Sequence, residues 1–145
     1  MIERRRSIVI RREPHVVYYR LTELLDEAQA PRAGAPSRGG LFGRFGGMAS
    51  QVNLVRTREV PDQLLVVEGR SSGIHAVAEG HLRPFGSETD LEIRVRIEPE
   101  GIAGRLALSM ANRMSGGLEG AIDRGLDEAL AELRDDLEGR TPAGA

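Results

Sequence analysis

The chain has 145 residues and a formal net charge of −2, enough polypeptide for one domain with a real core and too balanced to suggest a nucleic-acid partner. It contains no cysteine, which excludes disulfides, thiolate metal sites and cysteine nucleophiles. All twenty basic residues are arginine, so lysine Schiff-base chemistry is excluded too, and the arginine content reads as composition before it reads as phosphate binding.

Arg4, Arg5, Arg6, Arg11 and Arg12 crowd the start, whereas Glu119 to Glu138 is strongly acidic. No apolar run approaches a bilayer span, and Ser7-Ile8-Val9-Ile10 is too short for the core of a signal peptide. A soluble cytoplasmic protein without integral membrane contact is the expectation. Ser7 to Arg11 reads as a short β-branched strand. Pro14 suits the first turn of a helix whose apolar face is Val17, Leu21, Leu24 and Leu25 through about Glu27. Asp26 and Glu27 oppose the dipole at its C-terminal end, which favours two short helices. Residues 30–50, with two prolines and six glycines, form a glycine-rich loop or a degenerate hairpin.

Strand-like runs follow at 52–58, 64–69, 74–83 and 89–98, with links short enough for an antiparallel meander. In the last run Leu91, Ile93, Val95 and Ile97 alternate with Glu92, Arg94, Arg96 and Glu98, so one face is buried and the other wet. From Ile102 an apolar residue then falls on every fourth position: Leu106, Met110, Met114, Leu118, Ile122, Leu126 and Leu130. Each step rotates that stripe by about 40°, too much for one straight helix on one sheet. The row breaks most cheaply at Ser115-Gly116-Gly117. Residues 140–145 are a frayed tail.

Strand, short helices, curved meander and a long C-terminal helix is the order of a helix-grip α+β fold. The residues carrying a resemblance are Ser7–Ile10 followed by Pro14–Leu21, Val55–Pro61, Glu88–Ile93 after Phe85-Gly86, and Leu130–Glu138 with its closing Leu137-Glu138. On these the chain resembles the polyketide cyclase/dehydrase and lipid-transport superfamily, the START or Bet v 1-like (SRPBCC) group. It departs from that group in lacking tryptophan and in carrying glycine-rich sequence where two strands precede Val52. The resemblance implies one domain over 1–139, its sheet wrapped around the kinked C-terminal helix with an apolar cavity between them. It also implies a small hydrophobic ligand: lipid, isoprenoid or polyketide-like.

Ile74, Ala76, Ala78, Gly80 and Leu82 share a strand face with three small residues in the middle, which either leaves space or permits close helix packing. The expected ligand contacts are Tyr18, Ala76, Ala78, Leu91, Ile93, Val95, Leu106, Met110 and Met114. Aromatics are only 3% of the chain, so such a lining suits a flexible aliphatic ligand. Tyr18 clusters with Val17, Leu21 and Leu25; its ring is expected inside, its hydroxyl bonded to backbone or orienting a ligand carbonyl or phenol. Arg56 and Arg58 share a face with Val52 and Leu54. They are solvated in one register and line the pocket in the other, where they would hold a carboxylate or an enolate. Tyr18 and Arg56 are thus the catalytic candidates if the protein is an aromatase/cyclase-type enzyme.

No metal or cofactor is expected. His15, His75 and His81 lack metal spacing, and His75 and His81 lie about 20 Å apart on the face opposite the small residues, where solvation is expected. Glu68 and Glu79 resemble an ordinary cross-strand pair. Within residues 38–48, no Gly-Lys-Ser/Thr follows the glycines and a single Arg-Gly-Gly makes no RNA-binding tract. Leu41, Phe42, Phe45 and Met48 on that segment suit a lid, a transient protein or membrane contact, or packing beneath the sheet. A partner-binding protein with a vestigial cavity is therefore a further alternative.

Overall fold

The structure is a computed structural model that describes residues 1–29, 54–71, 73–112 and 117–139. Strand β1 (Ile2–Ile10) leads into helix α1 (Pro14–Gln29). The strands β2 (Val55–Val60), β3 (Leu64–Ser71), β4 (Ile74–Phe85) and β5 (Glu88–Pro99) follow, then helices α2 (Gly101–Asn112) and α3 (Gly117–Gly139). The sheet runs β1-β5-β4-β3-β2 with every pair antiparallel. A five-stranded antiparallel sheet gripped by a long C-terminal helix is the helix-grip α+β fold. The expectations for residues 30–50, Ser115, Gly116 and 140–145 lie outside the described residues.

Three elements differ from the sequence reading. β1 begins at Ile2, five residues early, and takes the arginine run into the sheet. The segment after Pro14 is one continuous helix, because Asp26 pairs with Arg56 and Glu27 lies 3.8 Å from Arg20, which offsets the unfavourable dipole. The long row of apolar residues does break: α2 ends at Asn112 and α3 starts at Gly117 with φ +75°, a conformation that favours glycine.

Helix α3 lies along β1 and buries Ile122, Leu126, Ala129, Leu130, Leu133 and Leu137. Ile10, Val17 and Leu91 are fully enclosed beneath it, Leu82 nearly so, and Leu133 of α3 packs into the same core. Each such side chain contributes roughly 1.5–3 kcal/mol by leaving water. Thr89 is also fully buried, and its hydroxyl donates to the Arg12 carbonyl at 2.7 Å, which fixes the bend from β1 into α1.

A second stripe on α3 is acidic. Arg4 Nε donates to Asp123 at 2.8 Å and its guanidinium reaches Glu119 at 3.4 Å. Arg6 reaches Asp123 at 3.3 Å and Asp127 at 3.4 Å. Further along, the Arg11 amide donates to Glu138, Arg12 Nε donates to the Leu137 carbonyl at 2.7 Å, and Arg20 of α1 donates to Asp136 at 2.9 Å. Hydrogen bonding to Arg4 holds the Asp123 carboxyl below its usual range, against the opposing effect of burial.

Helix α2 sits differently from its predicted orientation. Gly104 is buried against the β3–β4 turn, where a Cβ would overlap the Gly73 carbonyl, and the Glu100 amide donates to that same carbonyl. Backbone meets backbone there, so the glycine side of α2 faces inward. Ile102 and Leu106 are consequently 78% and 59% exposed. The expectation that Leu106 lines a cavity is therefore corrected.

Two outcomes follow. Leu133→Ala should lower unfolding stability by about 2–5 kcal/mol in urea titrations, since its site is closed on all sides. Asp123 has a lower pKa folded than unfolded, so its stabilisation is present above the ordinary carboxylate range and is lost as pH falls through the folded value. Asp123→Asn should flatten the acid limb of a Tm-versus-pH curve; an unchanged limb would mean the pair contributes nothing.

Candidate functional site

Strand register places the inner-face residues in rows across the sheet. One row reads Arg6, Ile93, Gly80, Leu65, Glu59; the next reads Arg4, Val95, Ala78, Val67, Arg56; the last reads Ile2, Ile97, Ala76, Gly69. Small residues therefore form a trough along the middle of the sheet, at Gly80, Ala78, Ala76 and Gly69. Its two ends differ. At Gly80 the face is covered: Ile93 and Leu21 of α1 stand at ordinary contact distance, 3.5 and 3.9 Å, from where a Cβ would be. Toward α2, Ala76, Val95 and Ile97 remain only half-buried.

The predicted ligand contacts divide along this line. Ala76, Ala78, Ile93 and Val95 share the concave face. Leu91 is fully enclosed by the core and presents no free surface, so its assignment as a ligand contact is corrected. The Met110 side chain and Met114 lie outside the described residues, as do Leu41, Phe42, Phe45 and Met48.

Tyr18 packs on the core from α1, and its hydroxyl is enclosed without a hydrogen-bond partner among the described residues. Burial pushes its pKa up, reinforced by the charge of Glu59 and opposed by Arg56. The phenol thus stays protonated and is a donor in search of an acceptor.

Arg56 stands at the same corner. Its guanidinium pairs with Asp26, lies 3.3 Å from Glu59 and donates to the Thr22 carbonyl at 3.2 Å. The register shift between Arg56 and Arg58 is a β-bulge that puts the two on opposite faces, Arg56 inward and Arg58 outward. Neither predicted register describes this pair, since strict alternation would have kept both on one face.

His75 and His81 do face outward, but they are half-buried and bonded rather than simply solvated. His75 lies 3.3 Å from Glu68, and His81 2.9 Å from Glu79. The two glutamates each serve a histidine instead of facing one another. Exposed His15 lies 3.3 Å from Glu13. Among the described residues no three acidic or histidine side chains cluster to hold a metal ion, and no helix is long and apolar enough to cross a membrane.

No family model matches the chain, and no curated protein does. Solved structures do. The Zhui aromatase/cyclase from Streptomyces sp. R1128 superposes with a TM-score of 0.64 at 14% identity, over 99% of this chain and 98% of that one. CalU16 from Micromonospora echinospora gives 0.58 at 14% identity, over 97% of this chain and 78% of that one. The Aha1 dimer from Colwellia psychrerythraea gives 0.56 at 14% identity, over 95% and 97%. The class is thereby defined at the level of fold. This chain has the polyketide cyclase/Bet v 1-like fold, in agreement with the resemblance carried by its sequence.

Only two tyrosines are present, and Tyr19 is exposed. Tyr18→Phe should remove the latest-appearing part of the tyrosinate absorbance in an alkaline titration. If instead that late component survives, the hydroxyl is not enclosed as described.

Proposed function

We propose that the protein binds a small hydrophobic ligand in the trough between the sheet and its helices. The observation that carries this is the half-covered row Ala76, Ala78, Val95 and Ile97 on a face whose other end is fully packed. Packed interiors are the rule in proteins, and pockets are apolar concavities with a few placed polar groups. The polar group we assign to it is the Tyr18 hydroxyl, enclosed on α1 near Arg56 and Glu59 of β2.

The corner chemistry narrows the ligand. Arg56 already has Asp26, Glu59 and the Thr22 carbonyl as acceptors, so a ligand carboxylate would have to displace one of them. Tyr18 offers a neutral donor. An aliphatic body ending in a neutral oxygen, a ketone, quinone or alcohol, suits this pair better than a fatty acid.

An aromatase/cyclase-type activity is the second reading, supported by the same two residues. Tyr18 would hold a ketone oxygen as a neutral donor, and Arg56 would reach a developing enolate only by giving up one of its present acceptors. The fold neighbour with that activity supports it only at the level of architecture.

Native mass spectrometry and thermal shift with a long-chain alkan-2-one and the matching fatty acid test the binding reading. The ketone should stabilise the protein more than the acid. Ala76→Phe should abolish the shift by filling the trough, while Tyr18→Phe should weaken ketone binding about ten-fold. Absence of binding by either compound would turn the reading toward a protein with a vestigial cavity.

A further inference from the structure

The outer face of the sheet carries a groove of about 430 Å³ that spans β2 to β5. Its floor includes Val60 and Leu64, opposite one another across the β2–β3 pair and both half-buried. Basic side chains rim it: Arg58 from β2, His81 and Arg83 from β4, Arg94 from β5. Most already face a carboxylate. Arg94 pairs with Glu92, Arg83 lies 3.0 Å from Asp90, and His81 lies 2.9 Å from Glu79. Arg58 is the exception, exposed and without a carboxylate partner among the described residues.

Strand alternation alone would have turned Arg58 inward beside Arg56. The β-bulge between them delivers it to this face instead, next to the apolar floor. The groove therefore combines one uncompensated guanidinium with a strip of aliphatic surface.

We propose that this groove is a second ligand site, separate from the concave trough, and that it takes a small organic monoanion of the alkyl carboxylate class. The carboxylate would lie on Arg58 in a charge-assisted, bidentate pair, and the alkyl body would cover Val60 and Leu64. A single negative charge matches the one rim guanidinium that has no carboxylate partner among the described residues. The second charge of a dianion would face the Glu92 carboxylate in the groove wall.

Amide chemical-shift mapping with hexanoate, and with hexanol as the neutral control, tests this on the whole protein. Hexanoate should move the amides of Arg58, Leu64 and His81, in a salt-dependent way, while those of Ala78 and Val95 on the concave face stay still. Hexanol should bind at least about ten-fold more weakly, and Arg58→Gln should cost about as much, with Arg58→Lys restoring part of it. Arg58 is exposed, so folding of the variants is checked simply by their unchanged spectra elsewhere. Equal binding of hexanol, full affinity in Arg58→Gln, or shifts confined to the concave face would each overturn the proposal. The concave-face outcome would do so while leaving the trough reading intact.

Discussion

The grip rests on a match between two repeats, that of a strand and that of a helix. Two residues of β1 rise about 6.6 Å, and four residues of α3 rise about 6 Å, so Arg4 and Arg6 can each meet successive members of the row Glu119, Asp123, Asp127. The match holds over distance. Arg4 to Arg11 spans about 23 Å of strand, and Asp123 to Glu138 about 22 Å of helix. Strand and helix therefore run in the same direction, in one register, with the apolar stripe of α3 held against the core.

Magnitudes separate what holds the helix from what aligns it. Exposed ion pairs contribute at most about 1 kcal/mol each, and Glu119 and Asp127 are both 60% exposed. Burying Leu126, Leu130, Leu133 and Leu137 contributes several times more. The leucines supply the stability, but leucine stripes tolerate sliding by a turn. A slide by one turn would still leave Arg4 between Asp123 and Asp127, but it would part Arg20 from Asp136 and the Arg11 amide from Glu138, so these contacts near the end of α3 oppose sliding.

Much of this was legible in the chain and some was not. Alternation in β5, the proline-led start of α1 and the helix break near Gly117 are local patterns, and these three read correctly. The basic start and acidic end were equally visible, yet their pairing joins residues more than 110 positions apart, which no spacing rule reaches. Two other readings failed for a related reason. Leu106 follows the four-residue row, but the close approach of Gly104 to Gly73 sets which side of α2 turns inward, and that contact lies between separate elements. Arg56 and Arg58 were bound to one face by alternation until a bulge separated them. Tyr18 was readable as an inward ring; that its hydroxyl would find no partner was not, because that depends on every neighbour at once.

That orphaned hydroxyl gives the two ends of the concave face different meanings. Leaving a buried donor unsatisfied costs about 1–3 kcal/mol, a sizeable part of the 5–15 kcal/mol by which a typical domain is stable. The packed end, with Ile10, Leu91 and Leu133 closed over one another, has stability to spare for such a defect. The open end, where the glycine contact turns Ile102 and Leu106 of α2 away from the trough, leaves Ala76 and Val95 without full cover. A bound molecule with an apolar body and one oxygen acceptor would relieve both deficits, covering the trough and satisfying Tyr18. A side chain added within the fold would relieve only one. The same arithmetic sets the order of effects: filling the trough removes the larger apolar term, while losing the hydroxyl removes a single hydrogen bond.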